Sequence, residues 1–262
     1  MRKFIALFTV LGMLIGLVGF TSSAGAATQE TVPVHLKVGK FYILYTKYGA
    51  PIADDKERIL IPLRMIEGLL GGQVNYVNKT KTATVQWLDH EFELTIASRT
   101  AKVDGVTVMM DTVPILKNGA MFLPVRLFLE PLGINYSWDQ GNKLLSFNDE
   151  RVIVGKPFKL FDGQDGNADG TDNKLILDSY KLVRSQTGLK VTLHAKNLSG
   201  TAIPEGTADI NPLSYFADGS FSVDSYSRPT SAPIGEIAAY GSTEITRAYA
   251  SSLEYLIAVA RI

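Results

Sequence analysis

The hexapeptide Asp165-Gly166-Asn167-Ala168-Asp169-Gly170 sets three oxygen-bearing side chains at alternating positions, with a glycine directly after the third. Alternate oxygens of this kind converge on a hard cation, and the glycine makes the sharp turn that lets them. Asp165, Asn167 and Asp169 therefore read as the first half of a calcium loop. The second half departs from the pattern. Ile176 stands where a bidentate glutamate belongs, and Asp172 where an apolar residue belongs. Asp162 or Asp172 would have to complete the ligand set. The competing reading is a solvated linker, because exposed turns are built from the same Asp, Asn and Gly.

Two arginines form the other candidate constellation. Residues 61–71 read IPLRMIEGLLG and residues 123–133 read LPVRLFLEPLG, so Pro62, Arg64, Leu70 and Gly71 recur as Pro124, Arg126, Leu132 and Gly133, each 62 positions later. That register marks an internal duplication. A cation in the first turn of a helix opposes the macrodipole, and an arginine placed there twice implies a tertiary partner. The structural reading is a partly covered guanidinium fork holding a carboxylate or strand-end carbonyls across each repeat. The functional reading is an exposed anion site. On the structural reading, Arg126→Ala removes about 2 kcal/mol of stability by orphaning the partner.

Other chemistry lacks its residues. A Ser-His-Asp triad would have to use one of three histidines, His35, His90 or His194, and no Gly-x-Ser-x-Gly elbow accompanies them. No phosphate-binding loop or dinucleotide fingerprint occurs. Paired carboxylates for glycoside hydrolysis leave no trace in spacing along a chain. Tyr215, Phe216, Phe221 and Tyr226 could stack on sugar rings, or could fill a sandwich core.

These residues must be positioned by two kinds of element. In each copy an extended apolar segment (FYILYT at 41–46, AKVDGVTVMM at 101–110) leads into a proline turn and a short strand. A helix of two to three turns and a further strand, 82–87 or 143–147, complete the copy. Leu63, Ile66 and Leu70 share one helix face, as do Val125, Phe128 and Leu132, so these are expected core positions. Gly71 and Gly133 suit the left-handed residue past each helix. After Asn148 the texture changes, with a Gly/Asp-rich stretch at 161–173 and then short strands split by turns, among them Asp218-Gly219. The expected organisation is a duplicated α+β domain over 31–148, a hinge over 149–173 with few crossing contacts, and an all-β antiparallel sandwich over 174–262.

Lys plus Arg and Asp plus Glu number 26 each, so no basic excess exists to hold nucleic acid or anionic lipid. There is no cysteine, which excludes disulfides and a lipidated anchor. Residues 1–26 combine Arg2 and Lys3, an uncharged run from Phe4 to Phe20, and Ala24-Gly25-Ala26, the layout of a secretory signal peptide. An uncleaved anchor is the alternative. The run is short for a span and holds three glycines, which favours cleavage and a mature chain free of the membrane.

The paired Pro-x-Arg motifs, their following Leu-Gly and the Trp138-Asp139 pair make residues 31–148 resemble the copper amine oxidase N-terminal-like domain, also called the stalk domain of secreted Gram-positive proteins. Copy one departs from it, with Tyr76-Val77 in place of Trp-Asp. The resemblance implies antiparallel strands curved around helices and an extracellular accessory module without amine oxidation. The oxidase's chemistry needs three histidines on copper and a tyrosine-derived quinone within Asn-Tyr-Asp/Glu. Asn75-Tyr76-Val77 and Asn135-Tyr136-Ser137 lack the acidic residue and do not occupy equivalent repeat positions. Residues 174–262 resemble, more loosely, small immunoglobulin-like domains. The expectation is a secreted, non-enzymatic surface or matrix protein without a cofactor other than that calcium, acting as a spacer or interaction module toward another surface protein. A cell-wall or carbohydrate-binding accessory protein and a small hydrolase are the alternatives.

Overall fold

The computed structural model describes residues 29–31, 34–45, 49–159, 174–186, 188–216, 218–223, 233–249 and 253–262. The fold is mostly β. Its first part comprises β1 (Gln29–Thr31), β2 (His35–Val38), β3 (Phe41–Tyr45), β4 (Ile52–Ala53), β5 (Ile59–Pro62), α1 (Leu63–Gly68), β6 (Gln73–Val77) and β7 (Thr82–Trp87). Then come β8 (His90–Thr95), β9 (Thr100–Val103), β10 (Val106–Met109), β11 (Ile115–Lys117), β12 (Ala120–Pro124), α2 (Arg126–Leu129), β13 (Tyr136–Asp139) and β14 (Leu144–Phe147). The last part holds β15 (Leu175–Arg184), β16 (Leu189–Asn197), β17 (Asp209–Phe216), β18 (Phe221–Val223), β19 (Ser242–Tyr249) and β20 (Leu253–Arg261).

β5 and β12 pair antiparallel with Ile61 opposite Leu123, so residues 62 apart in sequence face each other. Around that pair lies the sheet β11-β12-β5-β4. Turn chemistry sets two of the hairpins. Asp104-Gly105 joins β9 to β10 with φ of 51° and 79°, and Asn118-Gly119 joins β11 to β12 with φ of 52° and 77°. Both central residues of a type I′ turn need positive φ, which Asp-Gly and Asn-Gly supply at low cost.

The helices are shorter than expected, six and four residues, but they bury the expected faces. Leu63, Ile66, Leu70, Val125, Phe128 and Leu132 are all buried. Phe128 lies 4.7 Å from Phe92 and 6.2 Å from Trp87, ring centre to ring centre, which seats α2 on the sheet β10-β9-β8-β7-β6. Gly71 and Gly133 adopt positive φ just past the helices. Packing rather than propensity holds such short helices.

The expected separation into two domains joined by a hinge is corrected. One seven-stranded sheet runs β13-β14-β2-β3-β20-β17-β18 and takes strands from both sides of residues 149–173. β14 and β2 pair in parallel, and β20 pairs antiparallel with β3. The physical reason is the composition of β20, LEYLIAVAR, whose described side chains are nearly all buried. Such a strand needs neighbours on both edges, and β17 supplies only one. The sheets expected to lie within 174–262 likewise draw strands from outside that range. β2 and β3 face β15 and β16, with the His35 ring 4.9 Å from Tyr180 and edge-on to it. Residues 149–159 are packed rather than hinge-like, since Val152 and Phe158 are buried and Phe158 lies 5.1 Å from Phe41. The rest of the expected hinge, 160–173, lies outside the described residues. A single buried cluster extends from Val34 to Ala260. Among the described residues no helix is long and apolar enough to cross a membrane.

The sheet-to-sheet contact carries a pH dependence. Burial pushes His35 down to about 4, against a smaller upward pull from Asp178. The unfolded chain therefore takes up this proton first, near pH 6.5, and the folded chain only near pH 4. Stability is lost as pH falls through that window, and no further loss from His35 follows below it. Denaturant titrations should lose about 3 kcal/mol between pH 7 and pH 4 from this group. His35→Phe should flatten that limb. An unchanged slope in the variant would assign it to other groups.

Candidate binding groove

The second repeat presents a groove of about 610 Å³ between the β9–β10 hairpin and α2. Val103, Val106, Val108 and Met109 line one wall. Leu127, Glu130 and Pro131 line the other, with Asp111 and Arg126 at the rim. β10 is the last strand of its sheet, and its side chains are unusually bare: Val106 is 65% exposed and Met109 72%. Apolar side chains on an open sheet edge mark an interaction surface more often than an accident of packing.

The rim is held by a polar relay that joins the two repeats. Asp54 accepts from the backbone N–H groups of Lys56 and Arg58, each at 2.9 Å, and from Arg58 Nε at 2.7 Å. Arg58 Nη1 reaches across to the backbone carbonyl of Asp111. The Asp111 carboxylate in turn stands 3.5 Å from Arg126 Nη1. Burial pushes the Asp54 carboxyl up, but the bonds from the Arg58 side chain and from both backbone amides outweigh it and hold the group at about 2. The contribution of Asp54 to stability is thus present above pH 4 and is lost as pH falls toward 2, below the His35 window.

The sequence-predicted residues fall in different places. Arg126 sits on the groove rim, 57% exposed, and Arg64 is exposed on α1. A carboxylate does stand beside Arg126, at Asp111, but neither guanidinium is covered. Neighbours on a helix are about 100° apart, so burying Leu63 and Met65 turns Arg64 outward. Arg126→Ala should therefore change stability by less than about 1 kcal/mol in urea denaturation, in place of the 2 kcal/mol of a covered fork. Asp165, Asn167 and Asp169 lie outside the described residues. Among the described residues, no group of three or more His, Cys, Asp or Glu side chains is placed to hold a metal ion.

Sequence reasoning kept the three histidines apart, yet two of them share a carboxylate. His194 bonds Asp178, and the same Asp178 acts on His35. A register irregularity between Leu177 and Ser179 falls at Asp178, a placement with no local sequence signal. His90 pairs separately with Asp104 at 2.7 Å. Tyr215, Phe216 and Phe221 are half-buried against the core instead of forming an open platform, and Tyr226 lies outside the described residues. The buried ion pair Asp209–Arg261 left no mark in the sequence beyond two charges in apolar strands.

Neither a curated protein nor a solved structure matches the chain. Residues 32–147 match the family model described as the copper amine oxidase N-terminal domain, a non-catalytic module of amine oxidases, and no catalytic domain accompanies the match. The region that carries the open groove is thus similar to the copper amine oxidase N-terminal domain.

Proposed function

We propose that the chain is a secreted, non-enzymatic surface or matrix protein whose 32–147 domain is an interaction module, braced by the strands that follow it. The observation that carries this reading is the apolar groove with its bare edge strand, Val106 and Met109 above all. A spacer needs no such surface, and a protein that binds nothing gains nothing from leaving one open. The family match supports the non-catalytic part. The signal-peptide layout of residues 1–26 supports secretion.

The test is sedimentation of the purified chain with isolated cell wall, together with an activity screen on glycans and peptides. The expected outcome is no glycan-competed retention and no turnover. Retention competed by soluble glycan would replace this reading with a carbohydrate-binding accessory protein. Turnover abolished by substituting one carboxylate would replace it with a hydrolase.

A further inference from the structure

The two repeats treat the same edge differently. The hairpin β2–β3 opens copy one and β9–β10 opens copy two, and each turns through two residues, Gly39-Lys40 and Asp104-Gly105, 65 positions apart, three more than the helix offset. In copy one the outer edge of β3 is taken by β20, antiparallel, from Tyr255 opposite Tyr45 to Ala258 opposite Tyr42. Tyr255 then lies against α1, since a Cβ built on Gly68 would stand 3.3 Å from its hydroxyl oxygen. In copy two the outer edge of β10 has no strand beside it among the described residues. The residue 62 positions after Gly68 is Glu130, which lines the open groove.

Hydrogen-bond alternation makes β10 ready for a neighbour. Met110 N–H donates to Arg99 O at 2.8 Å, and the two-residue turn pairs Val103 with Val106. The bonded pairs alternate from there, so the N–H and C=O groups of Thr107 and Met109 point away from β9.

We propose that β10 is a strand-addition site that takes an extended segment of a partner protein, antiparallel, as β3 takes β20 within this chain. The segment is extended and largely apolar, as β20 is, and carries a basic residue. One aliphatic or aromatic side chain enters the groove beside Leu127. The backbone groups of Thr107 and Met109 supply the pairing, and pockets for alternate side chains supply the selectivity. At the rim Arg126 already faces Asp111, which leaves Glu130 to meet a lysine or arginine of the segment. The proposal deepens the interaction-module reading and rests on it.

The experiment uses the intact protein and a fluorescent peptide reproducing residues 253–262, a strand this fold is known to pair. The expected result is saturable 1:1 binding, slower amide exchange at Thr107 and Met109, and at least tenfold weaker binding to Met109→Lys. A peptide N-methylated at alternate residues should also bind at least tenfold less tightly. Leu116→Lys, at an exposed position outside the groove, should bind as the parent does. Absence of saturable binding would overturn the proposal. So would equal binding to Met109→Lys, which would mean the peptide displaces β20 instead. Dimerisation of the parent abolished by Met109→Lys would assign the edge to a second copy. Peptide failure without glycan-competed retention removes strand addition alone, whereas glycan-competed retention removes the reading beneath it.

Discussion

Asp209→Ala should cost about 3–5 kcal/mol, among the largest losses any single substitution can produce here. Asp209 and Arg261 stand opposite each other on β17 and β20, and they are 5% and 2% exposed. Arg261 Nε and Nη2 donate to Asp209 Oδ2 at 3.0 and 2.7 Å. Removing the carboxylate takes two charge-assisted hydrogen bonds from a guanidinium held out of water, and that loss is what destabilises. The pair itself adds little over a well-packed apolar pair, because both ions were desolvated to form it. Asp209→Leu combined with Arg261→Met should recover part of the loss, because both charges leave together. The single-variant loss should persist at high salt, since a buried pair is screened far less than a surface one. Urea denaturation of the parent, both single variants and the double variant measures all of this. A single-variant loss below 1 kcal/mol would show that water reaches the pair.

Gly155→Ala should be nearly as severe. A Cβ at Gly155 would stand 1.7 Å from the carbonyl oxygen of Leu69 and 2.6 Å from its carbonyl carbon. Both are backbone atoms just past α1, so no side chain can swing aside. The segment from Val152 to Phe158 would have to lift off the helix end, uncovering the buried side chains of Val152, Pro157 and Phe158. We expect a loss of about 3 kcal/mol or more, and a melting temperature lower by roughly 6–12 °C. Gly235→Ala is the matched control, because nothing lies within 4 Å of the added carbon. Equal melting of the two variants would show that residues 152–158 are not seated on α1.

Local features of this fold were legible in the sequence and distant ones were not. The helix faces built on Ile66 and Phe128 followed from a 3.6-residue period, and the Asp218-Gly219 turn followed from its dipeptide, whereas 101–110, expected as one extended segment, folds back on itself at Asp104-Gly105. The pairing of β20 with β3 did not follow. A strand's apolar pattern says that it is buried, but names no neighbour. The run of glycine, aspartate and asparagine after Asn148 suggested independent halves for the same reason, since composition reports solvent around a loop and nothing about the strands beyond it. The groove was half legible. Arg126 stood out, but the alternation of β10 reads like that of a covered strand, and only the sheet order shows that it is an edge. The shared carboxylate of His35 and His194 depends on two sheets meeting, which no spacing along the chain encodes.

The β3–β20 pairing also dictates when this chain can fold. Tyr45 and Tyr255 face each other across roughly 200 residues of intervening chain. Closing so long a loop is not prohibitive at equilibrium, because the entropy lost grows only logarithmically with length. Its effect is on rate, since contacts of high sequence separation form late and slowly. While a ribosome is still making the chain, the β2–β3 hairpin is already out with its apolar edge unmatched, and it stays so until residues 253–261 emerge. Through that interval the nascent polypeptide is loose enough to be threaded and exposed enough to aggregate, so it is the kind of chain a holding chaperone protects.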